Sequence, residues 1–146
     1  MFYNPILCAG ILGWASAQIL KFILHFFQNA SFNPERLYGS GGMPSSHSSL
    51  VCATMISCGR VEGFTSTAFA LAFVFGVIVM YDAAGVRYAA GLHAKELNLI
   101  RDILFKKEEN LDNKKKEFKE FLGHTPLQVF CGALLGVLIG VLIPLQ

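Results

Sequence analysis

The sequence predicts an all-α membrane protein: a bundle of about four transmembrane helices with an amphipathic helical insertion before the last one. Of the 146 residues, 53% are apolar and only 15% are charged, whereas soluble domains carry about 25% charge. Thirteen of the 22 charged residues fall within residues 101–120, which leaves the rest of the chain with a membrane-like composition. The length fits a single membrane domain, residues 1–146.

Four stretches supply the predicted spans. A transmembrane helix needs about 20 mostly apolar residues, and the first, third and fourth stretches meet this requirement, the last two without any charge. The second stretch is richer in small residues, as is typical of membrane helices that approach one another closely. The predicted spans are residues 5–27, 46–63, 64–81 and 127–145.

Two polar connections separate these spans. Residues 28–43 are rich in Gly, Asn and Ser, and this loop is expected to end where Pro44 opens a helix at its first turn. Residues 95–122 have apolar residues at spacings of three, four and seven with charges between them. This pattern indicates one or two amphipathic helices on the membrane surface or on the bundle, or else a solvated charged hairpin.

The basic residues predict the orientation. With four spans, loop 28–43 and segment 87–124 lie on one side of the membrane and hold ten of the 12 Lys and Arg residues, whereas the other side offers only Arg60. The positive-inside rule therefore places the basic side in the cytoplasm. A net charge of only +2 argues against a nucleic-acid partner.

Polar residues gather at this basic end. Lys21, His47, Asp82, Arg87 and His124 lie near those ends of the spans that face the cytoplasm, and such residues usually face a bundle interior and mark function. A glycine-rich loop before a helix start, with cations nearby, favours a bound phosphate. Two histidines divide the work of phosphoryl transfer, one as the nucleophile and one as the acid that protonates the departing oxygen.

Three ordered motifs carry a family resemblance. The segments GGMPSSHSSLV (41–51), VMYDAAGVRYAAG (79–91) and LGHTPLQV (122–129) together resemble the divergent branch of the type 2 phosphatidic acid phosphatase superfamily. These are small bacterial and plastid membrane proteins described as related to acid phosphatase and vanadium-dependent haloperoxidase. The resemblance implies a membrane phosphatase that hydrolyses a phosphomonoester or pyrophosphate, of a lipid among other substrates, through a phosphohistidine. The expected location is the bacterial inner membrane with the site facing the cytoplasm, or alternatively a plastid membrane.

The resemblance also implies roles for single residues. His124 matches the nucleophile and His47 the general acid, while Gln128 stands where the superfamily has an orienting Asp. An amide accepts the imidazole N–H bond but cannot stabilise imidazolium by charge. Expected phosphate-binding residues are Lys21, Arg36, Gly42, Ser45, Ser46 and Arg87, and expected orienting residues are Gln128 and Asp82.

Other interpretations of these residues stay open. The protein is alternatively a catalytically inactive membrane binding or scaffold protein that retains the fold and an anion pocket. Asp82 and Arg87 alternatively pair with each other inside the bundle. His93 follows Arg87 by six residues, which mimics the Arg-to-His spacing of the superfamily motif, and is interpreted as a decoy or an auxiliary group. The sequence offers no acidic cluster for Mg²⁺, so no metal or other cofactor is expected. The expected partners are the lipid bilayer and the phosphate-bearing substrate.

Overall fold

The computed structural model describes residues 4–29, 42–105, 118 and 123–144, and the regular structure within these ranges is α-helical. The helices are α1 (Pro5–Asn29), α2 (Ser46–Glu62), α3 (Thr67–Ala84), α4 (Val86–Phe105) and α5 (Pro126–Leu142). The predicted all-α membrane bundle is confirmed.

Two helical stretches are long and apolar enough to cross a membrane, Pro5–Phe27 and Thr67–Leu104. The second of them combines α3 and α4. Helices α2 and α5 have 17 residues each, which at 1.5 Å per residue gives about 25 Å. Crossing by these two shorter helices stays a prediction.

Helix α2 lies at the centre of the bundle, in contact with α1, α3 and α5. Three glycines spaced four residues apart on α5 approach its backbone so closely that a Cβ atom at any of them would overlap α2. The pairs run in the same order along both helices, so α2 and α5 are parallel. The glycines Gly132, Gly136 and Gly140 lie against the backbone carbonyl oxygens of Ser45, Ser49 and Ala53, in that order.

Helix α1 packs on α2 in the opposite direction. Gly10 lies against Thr54 near the far end of α2, and the Ser49 hydroxyl donates a hydrogen bond to the Gly13 carbonyl oxygen at 2.8 Å. Lys21, further along α1, lies against Gly42, which precedes α2. The ends of α1 and α2 that carry Lys21 and His47 therefore meet.

Arg60 closes the opposite end of the bundle. Its guanidinium donates hydrogen bonds from Nη1 to the carbonyl oxygens of Gly140 at 2.8 Å and Ile143 at 2.9 Å. These carbonyls belong to the last turn of α5, where a positive charge complements the helix dipole. Arg60 thus joins the C-terminal ends of α2 and α5.

The interior and the surface have the composition expected in lipid. Fully buried side chains are small or carry hydroxyl groups, such as Ala9, Ala17, Ala53 and Ser57, while large apolar side chains point outward from α1, α3 and α5. Close packing of small residues is how membrane helices associate, because apolar side chains gain nothing by leaving a lipid environment.

Helix α4 corrects the predicted start of the amphipathic segment. It begins at Val86, directly after Gly85, and so covers residues 86–94, which the sequence pattern left unassigned. Residues 95–105 are helical, which confirms the amphipathic-helix interpretation there. Residues 106–117 and 119–122 of the predicted insertion lie outside the described residues.

Candidate active site

The candidate site lies at one end of the bundle, where five segments meet. These are the second half of α1, the start of α2, the end of α3, the start of α4 and the turn before α5. The alternating directions of α1, α2, α3 and α5 bring these segments together. The candidate side chains that these segments and the first turn of α5 supply are Lys21, His47, Asp82, Arg87, His124 and Gln128.

The turn before α2 is built from short side chains. Gly42 has a φ of 103°, a value at which a side chain would be strained, and a Cβ there would lie 3.2 Å from Cδ of Lys21. Ser45 is the N-cap of α2 and its hydroxyl accepts a hydrogen bond from the Ser48 N–H at 3.3 Å. Pro44 therefore precedes the cap, and the prediction that it opens the helix in its first turn is wrong. His47 lies in the first turn and is exposed.

The backbone of His124 is held by two neighbouring helices. Its N–H donates to the carbonyl oxygen of Ala83, in the last turn of α3, at 3.0 Å. Gly123 lies directly against the backbone of Arg87 and Tyr88 at the start of α4, where any Cβ would overlap. The position of His124 is therefore set by the junction between α3 and α4.

A capping box fixes the start of α5 and the orientation of Gln128. Gln128 N–H donates to the Thr125 hydroxyl at 3.4 Å, and Thr125 N–H donates to Oε1 of Gln128 at 3.1 Å. Because the Thr125 N–H is a donor, the group that faces it must be the amide oxygen. Thr125 is the N-cap of α5 and Pro126 lies in its first turn, an order of residues that is typical of a helix start.

The same amide oxygen selects the tautomer of His124. Nδ1 of His124 lies 3.3 Å from Oε1 of Gln128. Since this oxygen can only accept, Nδ1 carries the proton and Nε2 carries a lone pair. Nε2 is buried and has no hydrogen-bond partner among the described residues.

The two histidines face each other across a short gap. Their ring centroids are 6.3 Å apart and the ring planes are inclined by 58°. His124 is only 2% exposed, whereas His47 is exposed. The pair therefore combines a buried nitrogen lone pair with a second imidazole that solvent reaches.

Two cations accompany the pair. Lys21 is 7% exposed, and within the described ranges no carboxylate pairs with it. Arg87 is half-exposed, its Nε donates to Oδ2 of Asp82 at 2.5 Å, and its charge acts on the His47 ring. The predicted pairing of Asp82 with Arg87 is confirmed, but its predicted position inside the bundle is wrong, because the two side chains are 39% and 57% exposed. Arg87 nonetheless lies close enough to act on the His47 ring.

Burial keeps His124 neutral. Desolvation lowers the pKa of His124 below its ordinary value, and the positive charge of Lys21 and the nearby His47 lower it further. The hydrogen bond to Gln128 and the backbone of Gly42 act in the opposite direction and do not reverse the shift. His124 thus presents an unprotonated Nε2 at neutral pH.

Comparison with known proteins identifies the family. The model of the divergent PAP2 family matches residues 2–139. The chain belongs to this family. It is 37% identical, over 131 residues, to the uncharacterized membrane protein YuiD of Bacillus subtilis (strain 168), with 84% of this chain and 83% of the relative aligned. No solved structure matches the chain significantly.

Membership of the divergent PAP2 family agrees with the motifs on which the resemblance rests. These segments are distant in the chain, and the fold brings their described parts, residues 42–51, 79–91 and 123–129, to the end of the bundle that holds the candidate site. The suggested fold is phosphatase-related, and the chain is a membrane protein.

The predicted site residues that the structure describes lie at this end of the bundle. Ser45 lies at the site, but its hydroxyl caps α2 and its N–H donates to the Gln128 carbonyl oxygen at 3.0 Å, so its contact with a phosphate stays a prediction. Arg36 lies outside the described residues. His93 is exposed on α4, and no contact in the described residues joins it to the pair.

Several residues position the site although no sequence feature predicted this role for them. The carbonyl of Ala83 and the N–H of Ser45 act through the backbone, which any residue type supplies. Gly123 is different, because a Cβ atom at this position would overlap the backbone at the start of α4. Its residue type therefore matters. A glycine directly before a candidate catalytic histidine was the available signal.

Proposed function

We propose that this divergent PAP2 protein is a membrane phosphatase that hydrolyses a phosphomonoester or pyrophosphate, of a lipid or of a soluble molecule, through a phosphohistidine. The observation that carries the proposal is Nε2 of His124, which is buried and has no hydrogen-bond partner among the described residues. The centroid of its ring lies 6.3 Å from that of His47, and the charge of Lys21 acts on the His124 ring. A buried polar atom is normally hydrogen-bonded. A phosphate ester would engage both groups: its phosphorus the Nε2 lone pair, and its oxygens the buried Lys21, with which no described carboxylate pairs.

The reaction has two steps in this proposal. Nε2 of His124 forms a bond to phosphorus, the bond from phosphorus to the leaving oxygen breaks, and protonated His47 gives its proton to that oxygen. His47, now neutral, takes a proton from a water molecule that attacks the phosphohistidine. The nitrogen–phosphorus bond then breaks, phosphate is released and Nε2 regains its lone pair.

The cations and donors at the site bind the phosphate oxygens. Lys21 supplies a buried point charge, and Arg87 has its two Nη groups left after Nε binds Asp82. Asp82 thereby orients Arg87, and Gln128 orients His124. Gly42, Ser45, Ser46 and Arg36 complete the proposed set of phosphate ligands.

Substitution of the histidines tests this mechanism. The purified full-length protein in detergent should release phosphate from a panel of lipid and soluble phosphomonoesters, with inhibition by vanadate. His124→Ala and His47→Ala should each lower kcat by at least about 100-fold, while His93→Ala should keep the rate. Retention of the wild-type rate by both site variants would show that the mechanism is wrong.

Gln128 favours a second function, an anion-binding membrane protein without turnover. Its neutral amide, at 3.3 Å from Nδ1, cannot stabilise the imidazolium that forms as phosphohistidine chemistry proceeds. Vanadate binding with no phosphate release from any member of the panel would favour this function. Robust turnover would exclude it.

We further propose that the site faces the bacterial cytoplasm. The described basic residues at the site end, such as Lys95 and Arg101, support this orientation through the positive-inside rule, and the Bacillus subtilis relative supports a bacterial membrane.

A further inference from the structure

We propose that the His47–His124 pair takes up a proton when an oxyanion binds, so that the pocket receives a dianion and a proton together. The inference uses the anion pocket of the proposed function but does not need turnover. It rests on the close approach of the two rings and on the buried nitrogen of His124, which has no hydrogen-bond partner among the described residues.

Nε2 of His124 presents a lone pair, which can accept a proton or a hydrogen bond but cannot donate one. An oxyanion oxygen also presents only lone pairs, and two acceptors that face each other without a proton repel. Nε2 is buried and has no hydrogen-bond partner among the described residues, and the His47 ring lies across the gap, 6.3 Å away from centroid to centroid. A dianion that fills this gap therefore needs a proton on one of the two rings.

The charges around the two histidines act differently on a protonated ring before and after a dianion binds. Lys21 is buried without a carboxylate partner among the described residues, and Arg87 shares its charge with Asp82. A protonated imidazole in the empty pocket would add a further positive charge beside Lys21. A bound dianion reverses the sign of this interaction and favours the protonated ring. The charges that act on the pair come from Lys21 on α1 and Arg87 on α4, and the neutral Gln128 on α5 contacts His124. Asp82 on α3 pairs with Arg87.

The consequence concerns the order of events. A general acid has to be protonated before the leaving oxygen departs, yet the empty pocket favours neutral rings. Binding of the phosphate dianion resolves this conflict, because its negative charge stabilises the added proton on the histidine pair. The substrate thus brings the acid into its working state, and empty protein does not hold that proton.

Calorimetric titration with tungstate tests the inference directly. Tungstate stays a dianion at neutral pH, so any proton taken up must go to the protein. The wild-type full-length protein in detergent is titrated in two buffers that differ in ionisation enthalpy. We expect uptake of about one proton per tungstate, and an apparent Kd that rises about tenfold per pH unit above the ordinary histidine range.

Variants assign the proton to the pair. His47→Gln with His124→Gln should bind tungstate more weakly and without proton uptake, because Lys21 remains and the rings are gone. His93→Gln, which removes an exposed histidine on α4, should keep the uptake of about one proton. Proton uptake that persists in the double variant would overturn the assignment.

The outcomes separate this inference from the proposed function. Tungstate binding to the wild-type protein without proton uptake overturns the inference and leaves the phosphatase proposal intact. Proton-coupled binding without turnover on any phosphate ester supports the inference and overturns the phosphatase proposal. Absence of tungstate binding overturns the inference together with the anion pocket.

Discussion

Gln128 joins the start of α5 to the imidazole of His124 through one amide oxygen. That oxygen accepts from the Thr125 N–H and from Nδ1 of His124, so the helix cap and the tautomer of the histidine depend on the same atom. A side chain of equal length with a carboxylate would keep both hydrogen bonds and add the charge that the amide lacks. Gln128 is therefore the residue at which the phosphatase and binding-protein proposals can be distinguished.

Substitution Gln128→Glu should raise the rate of phosphate release. A carboxylate beside Nδ1 stabilises the imidazolium character that develops at His124, and one pKa unit of extra stabilisation is about 1.4 kcal/mol, or about tenfold. The measurement is kcat for the wild-type protein and for Gln128→Glu, Gln128→Asp and Gln128→Leu. The Leu variant removes both hydrogen bonds and should be slower than wild type. Equal rates in all four proteins would contradict the orienting role.

The lowered pKa of His124 predicts an asymmetric response to acid. Because burial lowers this pKa, Nε2 stays unprotonated and nucleophilic below the ordinary histidine value of about 6.5. Activity should be lost only when pH falls through the lowered pKa. In a profile of kcat/KM against pH, the acidic limb should therefore lie below about 6.5, and Gln128→Glu should shift it upward. An acidic limb above that value in the wild-type protein would argue against a buried, neutral His124.

At the scale of elements, the contact between α2 and α5 sets the distance between the two histidines. His47 lies in the first turn of α2, and His124 lies two residues before α5. Because these helices are parallel and interlock at every fourth residue through α5 glycines, a shift of one helix would move one histidine relative to the other. The glycine spacing thus acts on the site from a distance of several turns.

A methyl group in this interface should destabilise the fold. Gly136→Ala places a Cβ in overlap with the Ser49 carbonyl oxygen, and its neighbourhood includes Cβ of Cys52 at 2.9 Å. Overpacking of this kind typically costs about 1–3 kcal/mol, so the variant should unfold at a lower temperature in detergent. Leu138→Ala, on the exposed side of the same helix, is the matched control and should change the unfolding temperature less. A larger loss in the control would contradict the assigned interface.

At the scale of the whole molecule, the sequence predicted the helical bundle and which ends of its helices meet, while crossing of the membrane by α2 and α5 stays a prediction. The apolar stretches and the alternation of predicted spans placed Lys21, His47, Arg87 and His124 at one end, and the described structure brings them together. The start of α4 was missed because residues 86–94 mix apolar, basic and small residues without a clear break. Gly85 interrupts the helix at a single position, between the end of α3 and the start of α4 at Val86.

The finer geometry of the site could not be predicted, for a physical reason. Contacts such as His124 N–H to the Ala83 carbonyl and Ser45 N–H to the Gln128 carbonyl use backbone atoms. These atoms are the same in every residue, so the sequence holds no record of which pair will meet. The histidine spacing and the lone pair on Nε2 follow from such contacts and from the capping box, whose Thr125 and Pro126 the sequence did reveal.

The orientation of the bundle can be tested by labelling at its two ends. Glu62 lies at the end of α2 that carries Arg60, and Lys95 lies on α4 beyond the histidines; both are exposed. If the basic end faces the cytoplasm, Glu62→Cys should react in intact cells with a maleimide that cannot cross the membrane, and Lys95→Cys should react only after permeabilisation. The unsubstituted protein supplies the background, since Cys52 and Cys58 are buried and Cys8 and Cys131 are half-buried. Labelling of Lys95→Cys in intact cells would invert the orientation and place the histidines on the outer face, where substrates would be those available outside the cytoplasm.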